Sequence, residues 1–440
     1  MLFKSPRGTK DILPQESILW QEIEEKAKRI FSLFVYEEIR TPIFEESKLF
    51  SRSLGDMTDI VQKQMFLIKK ESDTLCLRPE ATASIVRSYV EHTLYNFNNV
   101  SKFYYIGPMF RAERPQRGRL RQFHHIGCEA IGSYSPYLDA ETIFLAAQIL
   151  SEAGISGYEI TINTLGCLQD KKTFALNLRE RLLPHKKSFC EDCQSRIAKN
   201  VFRVLDCKNK QCKDMILSLS IGRDHICEDC RKHFEAVQEG LNLFEVTYKI
   251  NPLLVRGLDY YTRTVFEITH PNLGAQDALG AGGRYDYLVE ELGGPSRGAV
   301  GFALGMERLL LAKLAKGEKI LKDEQARPLD CYVIALGEAA FKKSLTILKE
   351  LRRSHICADL DYLEGSLKAS LRRADKKASQ FCLIIGDNEL GRGTVILKNM
   401  KQSTQEEVKL TEIVEKIRKG KVANSEKTDD RGQKKVFSDF

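Results

Sequence analysis

Residues 103–110 (FYYIGPMF) and 123–131 (FHHIGCEAI) are two apolar runs of strand length on either side of a loop dense in arginine. That spacing predicts a long antiparallel hairpin. The loop, residues 111–121, holds Arg111, Arg114, Arg117, Arg119 and Arg121 against a single acid, Glu113. Guanidinium forks bind phosphate through paired hydrogen bonds, so such a loop can offer several donors to one polyphosphate or backbone. A solvated charged turn is the plainer reading of a charge run. The context argues against it, because Glu129 lies on an otherwise apolar strand. A buried carboxylate needs a partner, and a ligand amine or imidazole would serve.

The rest of the chain sets broad bounds. Its 440 residues are 42% apolar and 29% charged, which excludes the disordered, collagenous and coiled-coil classes. No apolar run reaches the roughly 18 residues needed to cross a bilayer, and the first residues lack a signal-peptide core. A cytoplasmic protein with no membrane partner is expected, with its cysteines as thiols or metal ligands. The net charge of +8 is modest. It gathers at residues 111–121 and at the stretch 366–379, where Lys368, Arg372, Arg373, Lys376 and Lys377 face Asp375.

Apolar periodicity predicts a long amphipathic helix over 15–35 and further helices over 80–95, 139–153 and 306–316. Residues 36–44 read as a strand that Pro42 demotes to an edge or an interface. Residues 59–68 and 73–78 read as a hairpin, and strands return at 253–256, 264–270 and 298–304. Between about 165 and 245 the texture turns Cys-rich and charged, which predicts an insertion of short helices. After a polar stretch ending in Pro328 the pattern becomes β-α-β-α, the mark of a small α/β domain with a mostly parallel sheet.

Several segments resemble the class II aminoacyl-tRNA synthetases. FRAERPQ…RQFH (110–124) is similar to their motif 2, GFALGMERL (301–309) to motif 3, and Pro42 before IFEE to motif 1. LVRGLDYYTRTVFE (254–267) narrows the resemblance to the histidyl-tRNA synthetase family, as do GAGGRYD (280–286), LRPEAT (77–82) and RGTKDILP (7–14). The resemblance implies an α+β architecture. An antiparallel sheet flanked by helices would be interrupted by a helical Cys-rich insertion and followed by a C-terminal α/β anticodon-binding domain. The expected boundaries are 1–165 and 246–318 for the catalytic core, 166–245 for the insertion, 319–328 for a linker, 329–420 for the anticodon-binding domain and 421–440 for a disordered tail.

By that resemblance the chain activates L-histidine with ATP and transfers it to tRNA(His), as a homodimer built on motif 1. Arg111 would contact the α-phosphate, Arg119 and Arg308 the distal phosphates of ATP with its Mg2+, and Arg256 the histidine carboxylate and α-phosphate. Arg256 and Arg111 would thus be catalytic. Glu80 and Thr82 would take the α-ammonium, and Glu129 and Tyr261 the two ring nitrogens, with Tyr260 beside them. Arg114 and Gln116 match positions that reach the tRNA acceptor end and its extra 5′ guanosine. The plainer reading of Arg256 is a salt bridge with Asp259. His125 stands where the family usually has glutamine. It is expected to contact the amino acid and to make histidine affinity vary between pH 5.5 and 7.5; the alternative is that it points away and is structural.

Cys190, Cys193, Cys207, Cys212, Cys227 and Cys230 have zinc-ribbon-like spacing, and six thiols exceed the four that a structural zinc needs. Thiols packing as small hydrophobes are the alternative, against which stand the acids inside each CEDC. The basic stretch 366–379 is expected to meet RNA phosphates. The rival function is the synthetase-like regulatory subunit of ATP phosphoribosyltransferase. Such paralogues typically lack the C-terminal domain and lose motif residues, whereas this chain keeps both.

Overall fold

The computed structural model describes residues 3–55, 58–70, 73–219, 221, 225–274, 277–315 and 329–429, in two compact units divided after Lys319. The expected linker at 319–328 lies outside the described residues. In the first unit the strands are β1 (Glu37–Glu38), β2 (Phe44–Glu46), β3 (Phe66–Lys70), β4 (Asp73–Leu77), β5 (Ser101–Phe110), β6 (Gln122–Ile131), β7 (Glu159–Thr164), β8 (Lys249–Ile250), β9 (Thr262–Thr269), β10 (Ala278–Arg284) and β11 (Ala299–Gly305). Eight of them form one sheet in the order β1-β5-β6-β11-β10-β9-β7-β8. Its interior pairs are antiparallel, and the short edge strands β1 and β8 pair in parallel.

The arginine-flanking runs pair as the predicted hairpin, with Phe103 opposite Glu129 and Phe110 opposite Gln122. Side chains alternate across β6, so Ile126, Cys128 and Ala130 enter a core with the helices Pro14–Leu33, Pro136–Glu152, Glu228–Leu243 and Met306–Ala315. The opposite face meets the helices Ser47–Leu54 and Thr82–Glu91 and the insertion. This second face carries His125 and Glu129.

Three local expectations differ. The run 36–44 yields only β1 and the start of β2, because Pro42 interrupts it. Residues 60–64 coil into a π-turn before β3 and do not extend the hairpin. Residues 253–256 form no strand; Asn163 of β7 instead donates to the carbonyls of Pro252 and Leu254, at 3.1 and 3.0 Å.

The second unit has strands β12 (Cys331–Leu336), β13 (Ala358–Leu360), β14 (Phe381–Gly386), β15 (Thr394–Asn399) and β16 (Thr404–Lys409) in the order β13-β12-β14-β15-β16. The sheet is evenly mixed and not mostly parallel: β12 pairs in parallel with β13 and β14, while β14-β15 and β15-β16 are antiparallel. The missed strand β16 has only Val408 buried, so it carries no apolar alternation to detect. The last helix runs from Ile413 to Asp429, so residues 421–429 are helical where a disordered tail was expected. A run with few glycines and no proline lets the helix continue past its buried turns. Residues 430–440 lie outside the described residues.

Candidate active site

A cavity of about 220 Å3 opens on the second face of the large sheet. It is lined by Glu80, Thr82, Arg111, Arg119, His125, Glu129, Arg256, Tyr260, Tyr261 and Arg308, which are the residues expected at the amino acid and ATP sites. The space exists because the facing positions are small: Gly301, Ala303 and Gly305 on β11, and Gly280 on β10. Gly301 stands opposite Glu129, and a Cβ there would collide with the Glu129 carboxylate.

One end is acidic and phenolic. Glu80 precedes the helix Thr82–Glu91 and accepts from the backbone N–H groups of Thr82 at 2.7 Å and Ala83 at 2.9 Å. That fixes the start of the helix and places the Thr82 hydroxyl, which donates to Glu129 at 2.7 Å. The Tyr285 hydroxyl donates to the other Glu129 oxygen at 2.5 Å. Burial still pushes the Glu129 carboxyl up to about 8, and it raises Glu80 too. The rings of Tyr260 and Tyr261 lie 4.7 Å apart, and burial pushes the Tyr261 phenol up to about 12. At neutral pH the phenols are therefore donors, and a ligand cation would draw both carboxyls into their charged form.

The other end is cationic. Arg111 is anchored by Nε donating to the Pro79 carbonyl at 2.9 Å and lies over the Phe123 ring at 5.4 Å. Arg308 donates to the carbonyls of Gly118 at 3.1 Å and Ala278 at 2.5 Å. Arg119 pairs with Glu113, and Arg256 donates to Glu267 at 2.6 Å. Burial lowers the pKa of Arg111 against the opposing pull of Glu80, and burial followed by repulsion from Arg111 lowers that of Arg119 and Arg308. Burial also opposes the Arg256 charge, but Glu267 outweighs it. Cations crowded away from water favour an anion of several charges. A wider recess of about 1040 Å3 continues from these arginines toward Arg196, Arg203, Lys208 and Lys213 of the insertion.

The structure removes one plain alternative and bears on one expectation here. Arg256 pairs with Glu267 and not with Asp259; the Asp259 carboxylate accepts from Asn200 at 3.2 Å. His125 does face the cavity, but burial and the charges of Arg111, Arg308 and Arg78 hold its pKa well below the usual imidazole value. That favours its neutral form and argues against the pH dependence expected from the sequence. The neighbouring His124 points the other way, with Nδ1 at 3.0 Å from Glu307.

Arg114 and Gln116 are exposed and do not line the cavity. Gln116 bridges to Arg119 through two backbone hydrogen bonds of 3.0 and 2.9 Å, making a tight tip that projects both side chains. Sequence reasoning missed Tyr285, Glu267, Arg284 and Lys171. Arg284 is fully buried and donates to Asp139 at 2.9 and 3.1 Å, to Asp286 at 2.9 Å and to the Ser133 and Ser135 carbonyls. It thus locks GAGGRYD to the start of the helix Pro136–Glu152. Lys171 donates to the carbonyls of Asp259 at 2.8 Å and Tyr261 at 2.7 Å, holding the RGLDYY turn. Tyr285 and Arg284 lie in the recognised GAGGRYD and Glu267 in LVRGLDYYTRTVFE, so those motifs were the available signal; Lys171 had none.

The six cysteines of the insertion divide. Cys190, Cys193, Cys207 and Cys212 place their sulfurs within 4.8 Å of one another, with Cys190 and Cys207 at 3.9 Å. A tetrahedron of zinc–thiolate bonds has edges of about 3.8 Å, so this set fits such an ion. Cys227 and Cys230 stand elsewhere, beside Cys167 and Asp170. In the second unit, Arg373 pairs with Asp361 at 2.7 Å and Lys377 with Asp359 at 2.5 Å. The basic stretch is therefore partly neutralised within its own unit.

The histidyl-tRNA synthetase family profile matches residues 8–180 and 201–309, and an anticodon-binding domain profile matches 330–420. A histidine–tRNA ligase of Halothermothrix orenii is 46% identical over 417 residues, covering 94% of this chain and 99% of that protein. A histidine–tRNA ligase of Clostridioides difficile is 46% identical over 420 residues, covering 95% and 99%. The crystal structure of the apo S. aureus histidyl-tRNA synthetase superposes with a TM-score of 0.77 at 36% identity, covering 94% of this chain and 100% of that one.

Proposed function

The chain belongs to the histidyl-tRNA synthetase family, and from that premise we propose how its own residues activate histidine and charge tRNA(His). The reaction joins the histidine carboxylate to the α-phosphate of ATP, releases pyrophosphate, and then passes histidine to the 3′ end of the tRNA, leaving AMP. Both reactants of the first step are anions, so positive charge must converge where they meet. The observation that carries the reading is the cavity itself, in which Glu80, Glu129, Tyr260 and Tyr261 face Arg111, Arg119, Arg256 and Arg308 across one small space.

Glu80, with Thr82 beside it, takes the α-ammonium, while Glu129 and Tyr261 take the two imidazole nitrogens and Tyr260 closes the ring pocket. Neutral His125 offers a donor or acceptor on the same wall. A site that satisfies both ring nitrogens discriminates strongly, since another side chain leaves its buried groups unpaired. Arg111 and Arg256 neutralise the carboxylate and the α-phosphate, and Arg119 and Arg308 hold the distal phosphates. Mg2+ enters with ATP and neutralises its phosphates.

The exposed tip at Arg114 and Gln116 meets the acceptor end and its extra 5′ guanosine, and Arg196 and Arg203 in the adjoining recess favour the same strand. Lys368, Arg372 and Lys376 on the helix Leu367–Lys376 are left to meet the anticodon arm. A homodimer accords with the exposed Leu33, Val35, Ile43, Phe44, Leu67 and Ile68 around Pro42. Cys190, Cys193, Cys207 and Cys212 hold a structural zinc, and the protein works in the cytoplasm. Among the described residues no helix is long and apolar enough to cross a membrane. The regulatory-subunit alternative is disfavoured by the retained arginines and the anticodon-binding domain.

Charging tests this reading. With ATP, the protein should attach labelled histidine to tRNA(His) and fail on a transcript lacking the extra guanosine. No charging of either would overturn the assignment; equal charging of both would overturn the role of Arg114 and Gln116.

A further inference from the structure

Cys227 and Cys230, excluded from the first thiol cluster, are joined by two residues from the start of the insertion. The sulfurs of Cys167, Cys227 and Cys230 and a carboxylate oxygen of Asp170 lie within 4.8 Å of one another. The two halves are built alike. Cys167 is the N-cap of the helix Leu168–Leu182 and Asp170 its third residue; Cys227 is the N-cap of the helix Glu228–Leu243 and Cys230 its third residue. Each half is a two-residue-spaced knuckle on a helix start, and Cys190 and Cys193 repeat the arrangement in the first cluster. Asp170 and Cys230 are buried.

The carboxylate is the independent sign of a ligand. Asp170 accepts from the Cys167 backbone N–H at 3.3 Å and is hydrogen-bonded to the Cys227 backbone and the Cys227 and Cys230 side chains, and among the described residues no lysine or arginine forms an ion pair with it. Three thiolates gathered beside this carboxylate would need a cation to offset their charge. The backbone reserves the place, because a Cβ at Gly166 would collide with Asp170.

We propose that Cys167, Asp170, Cys227 and Cys230 form a second metal site, which takes a divalent cation of the zinc class through three sulfurs and one oxygen. The ion ties the entry of the insertion, just after β7, to the helix by which the chain leaves it. That clip sets the helix whose next residue, Lys171, holds the carbonyls of Asp259 and Tyr261.

The full-length protein, purified and dialysed, is assayed for zinc and then exchanged with Co2+. The parent should carry two zinc ions per chain. The double variant Cys227→Ser/Cys230→Ser should carry one, and so should Cys190→Ser/Cys193→Ser. Asp170→Cys supplies a variant that keeps the site: it should retain two ions and strengthen the sulfur-to-cobalt absorption as one site goes from three thiolates to four. One ion in the parent, lost with Cys190→Ser/Cys193→Ser and kept in Cys227→Ser/Cys230→Ser, overturns the second site and leaves the first. One ion with the opposite response supports the second site and removes the first. A parent without zinc overturns both, and an unchanged cobalt spectrum in Asp170→Cys overturns the ligand set.

Discussion

The Tyr285 hydroxyl donates to the Glu129 carboxylate at 2.5 Å, and the Thr82 hydroxyl reaches its other oxygen at 2.7 Å. Two donors do not offset burial, so the carboxyl sits at about 8 in the empty site. Bound histidine cation favours the ionised form, so binding releases a proton below that value. Affinity for histidine should rise from pH 6 toward 8, and Glu129→Gln should flatten the rise beyond the titration of free histidine itself. Calorimetry across that range checks it. The stability of the empty protein runs the other way: a carboxyl raised above its unfolded value makes the fold most stable at low pH and less so as pH climbs through about 8, by at most about 1.4 kcal/mol per pH unit.

His125 gives a contrasting expectation. Burial and the surrounding arginines favour its neutral form, so His125→Gln should leave the pH dependence of the histidine KM unchanged between pH 5.5 and 7.5. A slope in the parent that disappears in the variant would restore the titrating role.

Lys171 donates to two carbonyls of the RGLDYY turn. Lys171→Met should raise the KM for histidine several-fold, as Tyr260 and Tyr261 lose their fixed placement, and leave the KM for ATP nearly unchanged. Equal changes in both constants would point to general loosening of the fold. The expected size follows from losing charge-assisted hydrogen bonds, each worth about 1.5–3 kcal/mol at most.

Arg284 is fully buried among Asp139, Asp286 and two carbonyls. Removing one partner of a buried ion pair leaves the others unmatched and costs about 3–5 kcal/mol. Urea denaturation of Arg284→Met should show a loss of that order in the first unit.

The elements that lie on strong patterns were legible beforehand. The 20-residue helix Pro14–Leu33 and the Arg-flanked hairpin follow from apolar spacing, and the helical insertion from its Cys-rich, charged texture. The residues that line the cavity followed from motif resemblance, since no periodicity singles out Glu80 or Arg256. What stayed hidden were relations across sequence distance. Glu267 lies beside Arg256 because β9 carries it there, and the alternation of a strand does not name its partner. Cys167 and Asp170, far from Cys227 and Cys230 in sequence, meet them only because two helix starts converge. The fate of His125 depended on burial and on three arginines gathered from different elements, which a residue type cannot reveal.

The central claim is that Arg256 supplies charge where carboxylate and α-phosphate meet. Histidine-dependent ATP–pyrophosphate exchange measures that step without tRNA. The parent should exchange, and Arg256→Ala should lose roughly 100- to 1000-fold in kcat, the loss typical of a preorganised transition-state donor. Exchange by Arg256→Ala at the parent's rate, or no exchange by the parent, would contradict the account.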